Sequence, residues 1–383
     1  MLHFQTQGYN GTAVKYSPFF DNRIAVSSGS NFGLVGNGRL FVFELTTQGI
    51  MPMKRSVNSL ECIPRRRSAT TNGMQYTYFL INNSFTTQDT LFDLAWSELH
   101  ENQVLTASGD GSIKLFDCTA NEFPVQSWKE HGRETFSVNW NMVKKDTFCS
   151  SSWDGTVRVW SPHRPRSLLT LPTHSCTYSA AFSPHNPDIL SAVSSDSHVR
   201  IFDLRTPASA SNHLVLQIPN HGVGASTAQP GMPPRGAAPS EILTHDWNKY
   251  RQTVLATGGV DRVARTFDIR APQQGPLAMM HGHQYAIRKL AWSPHLPNML
   301  LTGGYDMTCR VWSDGSEAGA GDGDVMRAGP VGPVMGVELG EMGTHSEFVT
   351  GVDWCLFGSE GWAASVGWDA NLYVWDVRNV IRH

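Results

Sequence analysis

The chain has 383 residues, of which 40% are hydrophobic and 16% are charged, and its formal net charge at pH 7 is −3. Such a length accommodates two or three ordinary domains or one large repeat architecture. The nearly neutral charge disfavours binding to nucleic acid or to a membrane surface through bulk electrostatics. Because the sequence has no run of 18 apolar residues and begins without the apolar stretch of a secretion signal, we expect neither membrane insertion nor secretion.

One pattern recurs along the chain. A strand that ends in an aromatic residue is followed by a second strand, a turn with an aspartate, and a third strand with an aromatic residue at its end. The first copy, over residues 14–43, is degenerate and has Asn37 where the aspartate is expected. Six further copies cover residues 92–117, 136–160, 178–203, 243–268, 287–312 and 349–376. Their turn aspartates are Asp110, Asp154, Asp196, Asp261, Asp306 and Asp369.

Seven copies of this pattern predict one all-β domain over residues 1–383, a seven-bladed WD-repeat β-propeller. Asp110, Asp154 and Asp196 follow one another at steps of 44 and 42 residues, and WD repeats have a period of about 40–45 residues. One blade cannot bury both of its faces, so the blades must stack around a ring that closes. We expect residues 2–5 to close the ring as an outer strand beside residues 372–375.

Three insertions lengthen the spacing between copies, at about residues 46–85, 206–240 and 313–343. The first contains three consecutive arginines at 65–67, which we expect to lie in a solvated loop. The second is rich in glycine, proline, alanine and serine, and the third is rich in glycine. Such compositions predict flexible, solvated loops between blades.

Histidine, serine and aspartate recur together, as His131 with Ser151 and Asp154. The other such groups are His174 with Ser194 and Asp196, and His345 with Ser365 and Asp369. This grouping resembles a hydrolytic triad, but its repetition favours a structural network in which the turn aspartate accepts a hydrogen bond from the histidine. In WD repeats a serine or threonine links that histidine to the tryptophan of the blade, and a buried carboxylate needs such partners. We therefore expect no catalytic residue.

Metal and cofactor sites are not indicated. His281 and His283 alternate without a nearby third ligand, and His283 occupies the structural histidine position of its repeat. The six cysteines are scattered without metal-ligand spacing and are expected to be free thiols. Phosphate-binding glycine loops are absent from the sequence.

Binding residues are predicted on one face of the propeller, here called the upper face. It carries the loops that lead into the inner strands and the turns between the second and third strands. The loops bring acidic residues to this face, namely Asp89, Glu134, Glu241 and Glu347. The turns bring aromatic residues, namely Trp153, Tyr305 and Trp368. Aromatic residues dominate binding hot spots, so this set predicts a peptide ligand with a basic residue and an apolar stripe.

Several segments resemble a known family. Residues 16–23 and 29–38, the degenerate first repeat, closely resemble the peroxin-7 family of soluble receptors for the type-2 peroxisomal targeting signal. The similarity continues at residues 91–96, 129–131, 152–155, 283–288 and 345–348. It covers all seven repeats and both ends of the chain, whereas the three insertions depart from the compact family pattern.

The resemblance implies an import receptor that binds the N-terminal signal of peroxisomal matrix proteins. The family's ligand is a nonapeptide with a basic first residue, leucine-like residues at positions two, five and nine, and histidine or glutamine at position eight. This spacing produces an amphipathic helix. The family's acidic pair, which meets the basic residue, falls on Asp89 and Glu134. The implied partners are cargo proteins, a co-receptor peroxin and the peroxisomal docking complex, and the implied location is cytoplasmic with cycling to the peroxisome.

Two other classes of propeller remain open from the sequence. A WD-repeat scaffold could bind another peptide, such as a histone tail or a ubiquitin-ligase substrate, through an acidic and aromatic upper face. Such proteins usually add an N-terminal helix or a scaffold-binding motif, neither of which is visible. A catalytic propeller would need a carboxylate or metal cluster in its central channel, and no such cluster repeats in the sequence.

Overall fold

The computed structural model describes residues 1–31, 36–58, 78–82, 84–120, 123–206, 213–219, 240–316, 332–357 and 360–381. Across these ranges the chain contains no α-helix and forms eight β-sheets, of which seven are blades and the eighth is a separate pair of strands within the first insertion. The predicted seven-bladed propeller is confirmed. Two short 3-10 helices cover Pro272–Gln274 and Val377–Asn379.

Blades 1 to 3 begin with the inner strand and continue outward in chain order. Blade 1 contains β2 (Asn10–Tyr16), β3 (Arg23–Gly29), β4 (Gly38–Thr46), β5 (Gly49–Pro52) and β8 (Ser84–Thr87). Blade 2 contains β9 (Leu91–Trp96), β10 (Gln103–Ser108), β11 (Ser112–Asp117) and β12 (Gln126–Lys129). Blade 3 contains β13 (Thr135–Trp140), β14 (Phe148–Ser152), β15 (Thr156–Trp160) and β16 (Leu169–Pro172).

Blades 4 to 7 follow the same order, except that the outer strand of blade 7 comes from the N-terminus. Blade 4 contains β17 (Thr177–Phe182), β18 (Ile189–Ser194), β19 (His198–Asp203) and β20 (Leu214–Pro219). Blade 5 contains β21 (Ile242–Trp247), β22 (Val254–Gly259), β23 (Val263–Asp268), β24 (Ala278–His281) and the parallel β28 (Val334–Met335). Blade 6 contains β25 (Ile287–Trp292), β26 (Met299–Gly304), β27 (Cys309–Ser313) and β29 (Val337–Met342). Blade 7 contains β30 (Val349–Trp354), β31 (Trp362–Gly367), β32 (Asn371–Asp376) and β1 (Leu2–Gln5).

The inner strands contact one another in a closed ring around the central channel. Each ends in an aromatic residue that is buried between blades, namely Tyr16, Trp96, Trp140, Phe182, Trp247, Trp292 and Trp354. Burial of large aromatic side chains is a major source of stability in a core. The aromatic residue at the end of each first strand is therefore the packing element that joins neighbouring blades.

The ring closes through the N-terminal strand, as predicted. β1 pairs antiparallel with β32, with Leu2 opposite Val374 and Phe4 opposite Leu372. The Phe4 ring lies 4.6 Å from the ring of Phe43 in blade 1, so the closing strand also packs against the first blade. Joining the first and last parts of the chain leaves no unpaired gap in the ring.

The structure corrects the description of the insertions as loops between blades. The 206–240 segment contains β20, the outer strand of blade 4, and the 313–343 segment contains β29, the outer strand of blade 6. In the 46–85 segment, β5 and β8 both pair with β4, and β6 (Lys54–Asn58) pairs with β7 (Tyr78–Asn82). The outer strands β20 and β29 lie inside segments that are otherwise rich in glycine and small or polar residues, and this composition is typical of loops. The arginines at 65–67 lie outside the described residues.

Carboxylates and amides near the ends of the inner strands connect neighbouring blades. Asp353 of blade 7 accepts a hydrogen bond of 2.9 Å from the backbone N–H of Tyr16 in blade 1. The same contact joins Asp246 to Trp292 at 2.9 Å and Asn139 to Phe182 at 3.0 Å. Two lysines neutralise this charge, since Lys15 pairs with Asp353 at 2.7 Å and Lys289 reaches Asp93 at 3.3 Å.

Candidate functional site

The upper face is built by backbone hydrogen bonds between two kinds of loop. In each of several blades, the residue before the turn aspartate donates its N–H to the loop that leads into the inner strand. Trp153 donates to the Glu134 carbonyl at 3.1 Å, and Val260 donates to the Glu241 carbonyl at 3.0 Å. Trp368 donates to Phe348 at 2.9 Å. The predicted acidic and aromatic residues therefore share one face.

In blade 3 the turn aspartate is the centre of a hydrogen-bond network. Asp154 lies 2.9 Å from Nδ1 of His131, and Nε2 of the same ring lies 2.7 Å from Ser150 Oγ. The indole N–H of Trp160 donates to Ser150 Oγ at 2.8 Å. Although burial opposes the charged form, the hydrogen bonds from His131 and Thr156 lower the pKa of Asp154 overall.

Blades 6 and 7 repeat this network. Its four positions are occupied by His283, Asp306, Thr302 and Trp312 in blade 6, and by His345, Asp369, Ser365 and Trp375 in blade 7. The pKa of Asp306 is lowered to about 2, against its desolvation, by hydrogen bonding and attraction to His283. Both ring nitrogens of each histidine are occupied by these contacts, which fix the loop before the inner strand.

Blades 2, 4 and 5 satisfy the turn aspartate differently. A basic residue four positions further along the chain replaces the histidine. Asp110 lies 3.4 Å from Lys114, Asp196 pairs with Arg200, and Asp261 lies 2.5 Å from Arg265. In blades 3 and 6, where the histidine is present, the corresponding arginines pair instead with glutamates. Arg158 pairs with Glu130 in the loop after β12, and Arg310 pairs with Glu338 in the outer strand β29.

Two of the groupings predicted from the sequence are wrong. Ser150 contacts His131, whereas Ser151 bonds Ser137 at 2.7 Å, because consecutive strand residues face opposite sides of the sheet. His174 is not the partner of Asp196, which is held by Arg200 and Ser194.

A β-bulge in every inner strand shapes the mouth of the channel on the upper face. The register of each inner strand shifts by one residue near its start. A bulge of this kind re-aims the extra side chain. The residues at the seven bulges are Thr12, Phe92, Phe136, Tyr178, Leu243, Arg288 and Thr350. These residues were not predicted from the sequence, although they occupy the same position when the seven repeats are aligned with one another.

Aromatic residues on these bulges form a continuous group over blades 2 to 4, here called the upper aromatic cluster (Phe92, Phe136, Trp153 and Tyr178). The Phe136 ring stacks on Phe92 at 5.0 Å and on Trp153 at 5.3 Å, and it meets Tyr178 edge-on at 5.5 Å. From blade 6, the Arg288 guanidinium lies over the Phe136 ring at 4.8 Å. Cation–π contact of this kind fixes an arginine against an aromatic surface.

Asp89 and Glu134 lie in the loops that lead into the inner strands of the neighbouring blades 2 and 3, which carry Phe92 and Phe136. Gly109 stands in blade 2 where Trp153 stands in blade 3, and a Cβ on it would lie 3.4 Å from the Phe92 ring and 3.8 Å from Asp89 Cβ. The Asp89 side chain and the Phe92 ring therefore both border the position of Gly109, where no side chain is present. The Glu134 side chain is 34% exposed and lies 3.5 Å from Arg133.

The other predicted residues lie around the rest of the upper face. Glu241 accepts a hydrogen bond of 3.0 Å from the Tyr178 hydroxyl, so it is already engaged, and Glu347 is exposed. Tyr305 stacks on Phe348 at 4.8 Å and Trp368 lies 5.2 Å from Phe348. The turn aromatics are thus half-buried in two groups, and the second group lies on blades 6 and 7.

Comparison with known proteins identifies the family. The WD domain, G-beta repeat, matches residues 123–161, 165–203 and 274–313. A peroxisomal targeting signal 2 receptor of Saccharomyces cerevisiae is 39% identical, over 98% of this chain and 99% of that protein. A peroxisomal targeting signal 2 receptor of Komagataella phaffii is 38% identical over 99% of this chain and 100% of that protein. Peroxisome biogenesis protein 7 of Arabidopsis thaliana is 34% identical over 96% of this chain and 95% of that protein. The chain belongs to the family of peroxisomal targeting signal 2 receptors.

The similarity of this family member to its relatives extends over the whole propeller, so the resemblance noted in the sequence is confirmed. Within the described ranges, no helix is long and apolar enough to span a membrane. Among the same residues, no group of three or more histidine, cysteine or acidic side chains is arranged to hold a metal ion.

Replacement of Asp154 by alanine tests the role of the turn aspartate. The change leaves the buried His131 and the half-buried Thr156 without their acceptor, so we expect the free energy of unfolding at pH 7 to fall by about 1–3 kcal/mol. Because the pKa of Asp154 is lowered in the folded state, its contribution is present above the unfolded value of 3.8 and is lost as the pH falls through the folded pKa. The difference from the unmodified chain should therefore shrink below pH 3.8.

Chemical denaturation at several pH values measures this difference. Asp146→Ala, which removes an exposed carboxylate from the same blade, is the matched control and should change stability little. If Asp154→Ala unfolds at the same denaturant concentration as the unmodified chain at pH 7, the structural role assigned to the turn aspartate is wrong.

Proposed function

We propose that the chain is an import receptor whose upper face binds the type-2 targeting signal of peroxisomal matrix proteins. Relatives over nearly the full chain carry the name of this receptor. The structural observation that carries the proposal is the position of Asp89 and Glu134 in the loops before the two inner strands that carry the stacked Phe92 and Phe136. This arrangement matches a ligand with one basic residue and an adjacent apolar stripe.

The basic first residue of the signal binds the acidic pair. Asp89 and Glu134 precede the neighbouring strands β9 and β13, which carry Phe92 and Phe136, and the centres of these two rings are 5.0 Å apart. A guanidinium or ammonium group between two carboxylates gains charge-assisted hydrogen bonds. Nearby aromatic faces add a cation–π contribution.

The apolar stripe of the signal packs on the upper aromatic cluster. A helix of nine residues is about 13.5 Å long, and the cluster crosses three adjacent blades. Its rings are already stacked on one another, so little side-chain entropy is lost when a ligand binds. Arg288, which is held over Phe136 at 4.8 Å, places a positive charge at the middle of the cluster and opposes binding of a second basic residue there.

Binding without catalysis is part of the proposal. The histidines that resemble triad members bond the turn aspartates through Nδ1 and a serine or threonine through Nε2, as in blades 3, 6 and 7. Those three rings are buried and both nitrogens of each are engaged, so none of the three is free to act as a base toward a nucleophile. The proposed function needs no cofactor.

A co-receptor completes the site. A short amphipathic helix on the rim of a propeller touches the receptor on one side and leaves part of its apolar stripe in water. Each leucine-sized side chain left exposed forgoes about 1.5–3 kcal/mol of burial. A second chain that covers the helix recovers this burial and delivers cargo to the peroxisomal docking complex, while the receptor cycles between the cytoplasm and the peroxisome.

The double variant Asp89→Asn, Glu134→Gln tests the acidic pair. A charge-assisted contact contributes about 1.5–3 kcal/mol, so we expect at least tenfold weaker binding of a fluorescent signal peptide, measured by anisotropy. The control is Asp146→Asn, Asp188→Asn, which removes two carboxylates from the opposite face. Equal affinity of the test and control variants would exclude Asp89 and Glu134 from the binding site.

The ternary complex provides a second test. Since linkage is reciprocal, co-receptor should raise the affinity for signal by the same factor by which signal raises the affinity for co-receptor. We expect this factor to be at least tenfold in calorimetric titrations of each pair and of the three components together. Identical affinities in binary and ternary titrations would mean that the propeller binds the signal unaided.

A further inference from the structure

The lower face of the propeller, opposite the upper face, exposes many apolar residues. It is formed by the loops between the first and second strands of the blades. Eight apolar side chains on these loops are 36–50% exposed, namely Phe19, Leu99, Met142, Val143, Tyr250, Leu296, Leu356 and Phe357. Single exposed apolar residues are ordinary on a protein surface, whereas a contiguous group marks an interaction site.

Four of these residues are contiguous on blades 7, 1 and 2. We call Phe19, Leu99, Leu356 and Phe357 the lower-face patch. Hydrogen bonds tie the loops that carry them together. The Cys355 thiol lies 3.9 Å from the Asp21 carbonyl, and Arg23 donates to the Asn102 side chain at 2.8 Å.

Two recesses open at the lower-face patch. The mouth of the channel holds a cavity of about 200 Å³ whose lining includes Glu98, Trp96, Trp140, Met142 and Leu356. A second recess of about 290 Å³, between blades 7 and 1, is lined by Leu2, Leu45, Trp362, Phe357 and Asp21. Tyr16 borders both, and its buried hydroxyl has no hydrogen-bond partner among the described residues. Each recess has the size of a large side chain. Glu98 lies in the lining of the first together with aspartates that are paired with lysines, and Asp21 is the carboxylate in the lining of the second.

The charge around the lower-face patch is acidic. The same loops carry four carboxylates, Asp21, Glu98, Glu101 and Glu360. Arg23 and Arg378 lie nearby, but Arg23 is paired with Glu44 at 3.6 Å and Arg378 with Asp376 at 2.6 Å. In the channel mouth, Lys15, Lys249 and Lys289 are likewise paired with aspartates.

Glu98 is the most desolvated of these four carboxylates. Its pKa is raised because burial outweighs the attraction to Lys145. A carboxylate against tryptophan and methionine side chains gains more from a cationic partner than one in open water, since solvent screens the attraction less.

We propose that the lower-face patch is a docking site for a segment of a partner protein that carries large apolar side chains interspersed with lysine or arginine. The apolar side chains occupy the two recesses and the basic residues meet Glu98 and Asp21. This site lies on the face opposite the proposed signal-binding surface, so both sites can be occupied at once. It does not depend on which peptide the upper face binds.

A second copy of this chain does not fit the site. In a symmetric dimer the same patch would meet itself, because the interface is isologous. The four carboxylates of one chain would then face those of the other, while the nearby Arg23 and Arg378 are already paired with Glu44 and Asp376. Charge complementarity therefore favours a basic partner of a different sequence.

The experiment selects ligands without assuming their identity. A phage-displayed library of random dodecapeptides is panned on the immobilised full chain carrying Asp89→Asn and Glu134→Gln, which removes the acidic pair of the upper face. We expect enriched sequences that combine large apolar residues with lysine or arginine. Synthetic versions are then titrated against the chain by fluorescence anisotropy, with a type-2 signal peptide measured in parallel.

Matched variants locate the binding. Glu98→Gln with Leu99→Ser should weaken binding of the selected peptides at least tenfold and leave binding of the signal peptide unchanged. Asp146→Asn with Val143→Ser, the same types of change in blade 3, should alter neither affinity by more than about twofold, which is the scatter expected for distant and independent sites. Thermal unfolding of both variants verifies that they fold.

Three results would overturn the proposal. The first is the absence of an enriched sequence, or enrichment of sequences without basic residues. The second is equal binding to the Glu98, Leu99 variant and the unmodified chain. The third is a dimer in sedimentation velocity that Leu99→Ser dissociates, since the patch would then bind a second copy. Loss of signal binding in the upper-face variant is measured separately, so the proposed receptor function stands or falls independently.

Discussion

The turn aspartate of each repeat controls the position of the upper loops. Its carboxylate is partly buried, and a buried carboxylate is costly unless it is hydrogen-bonded. Three blades supply a histidine from the loop before the inner strand, and three supply a lysine or arginine from the third strand. Because the histidine belongs to the loop and the aspartate to the turn, their bond holds two segments of the upper face together.

The upper face is rigid for this reason and because its aromatic residues lie on β-bulges. A bulge twists the strand and points its extra side chain towards the mouth of the channel. Phe92, Phe136 and Tyr178 are the extra residues of three such bulges. The Phe136 ring stacks on Phe92 and meets Tyr178 edge-on without a ligand present. A preorganised aromatic surface with carboxylates in the neighbouring loops is suited to a short amphipathic helix with a basic end.

Much of this arrangement could be predicted from the sequence, because the repeat fixes it. The period placed six turn aspartates and the closing strand β1 correctly. The consecutive serines at 150–152 left the partner of His131 ambiguous by one residue, since strand register cannot be obtained from composition. The outer strands β20 and β29 were missed because they lie inside segments whose composition is typical of loops.

The bulged aromatic residues show a different limit. Regular alternation gives no sign that an extra residue has been inserted, so Phe136 reads as an ordinary strand residue until the pairing is known. The sequence does show a lysine or arginine four positions after the turn aspartate in blades 2, 4 and 5. This spacing could have predicted that a basic residue, and not a histidine, is the partner of the aspartate in these blades. The sequence does not indicate the positive φ of 65° at Ser197 and 68° at Arg262, because neither position is occupied by glycine, the usual residue in this conformation.

The central claim is that the basic first residue of the signal binds between Asp89 and Glu134. A double-mutant cycle tests it most directly, with Glu134→Gln in the chain and glutamine in place of the first basic residue of the signal peptide. Direct contact predicts that the two changes are not additive, with a coupling free energy of about 0.5–3 kcal/mol. Additive losses in affinity, with coupling no larger than the error of the measurement, would contradict the account.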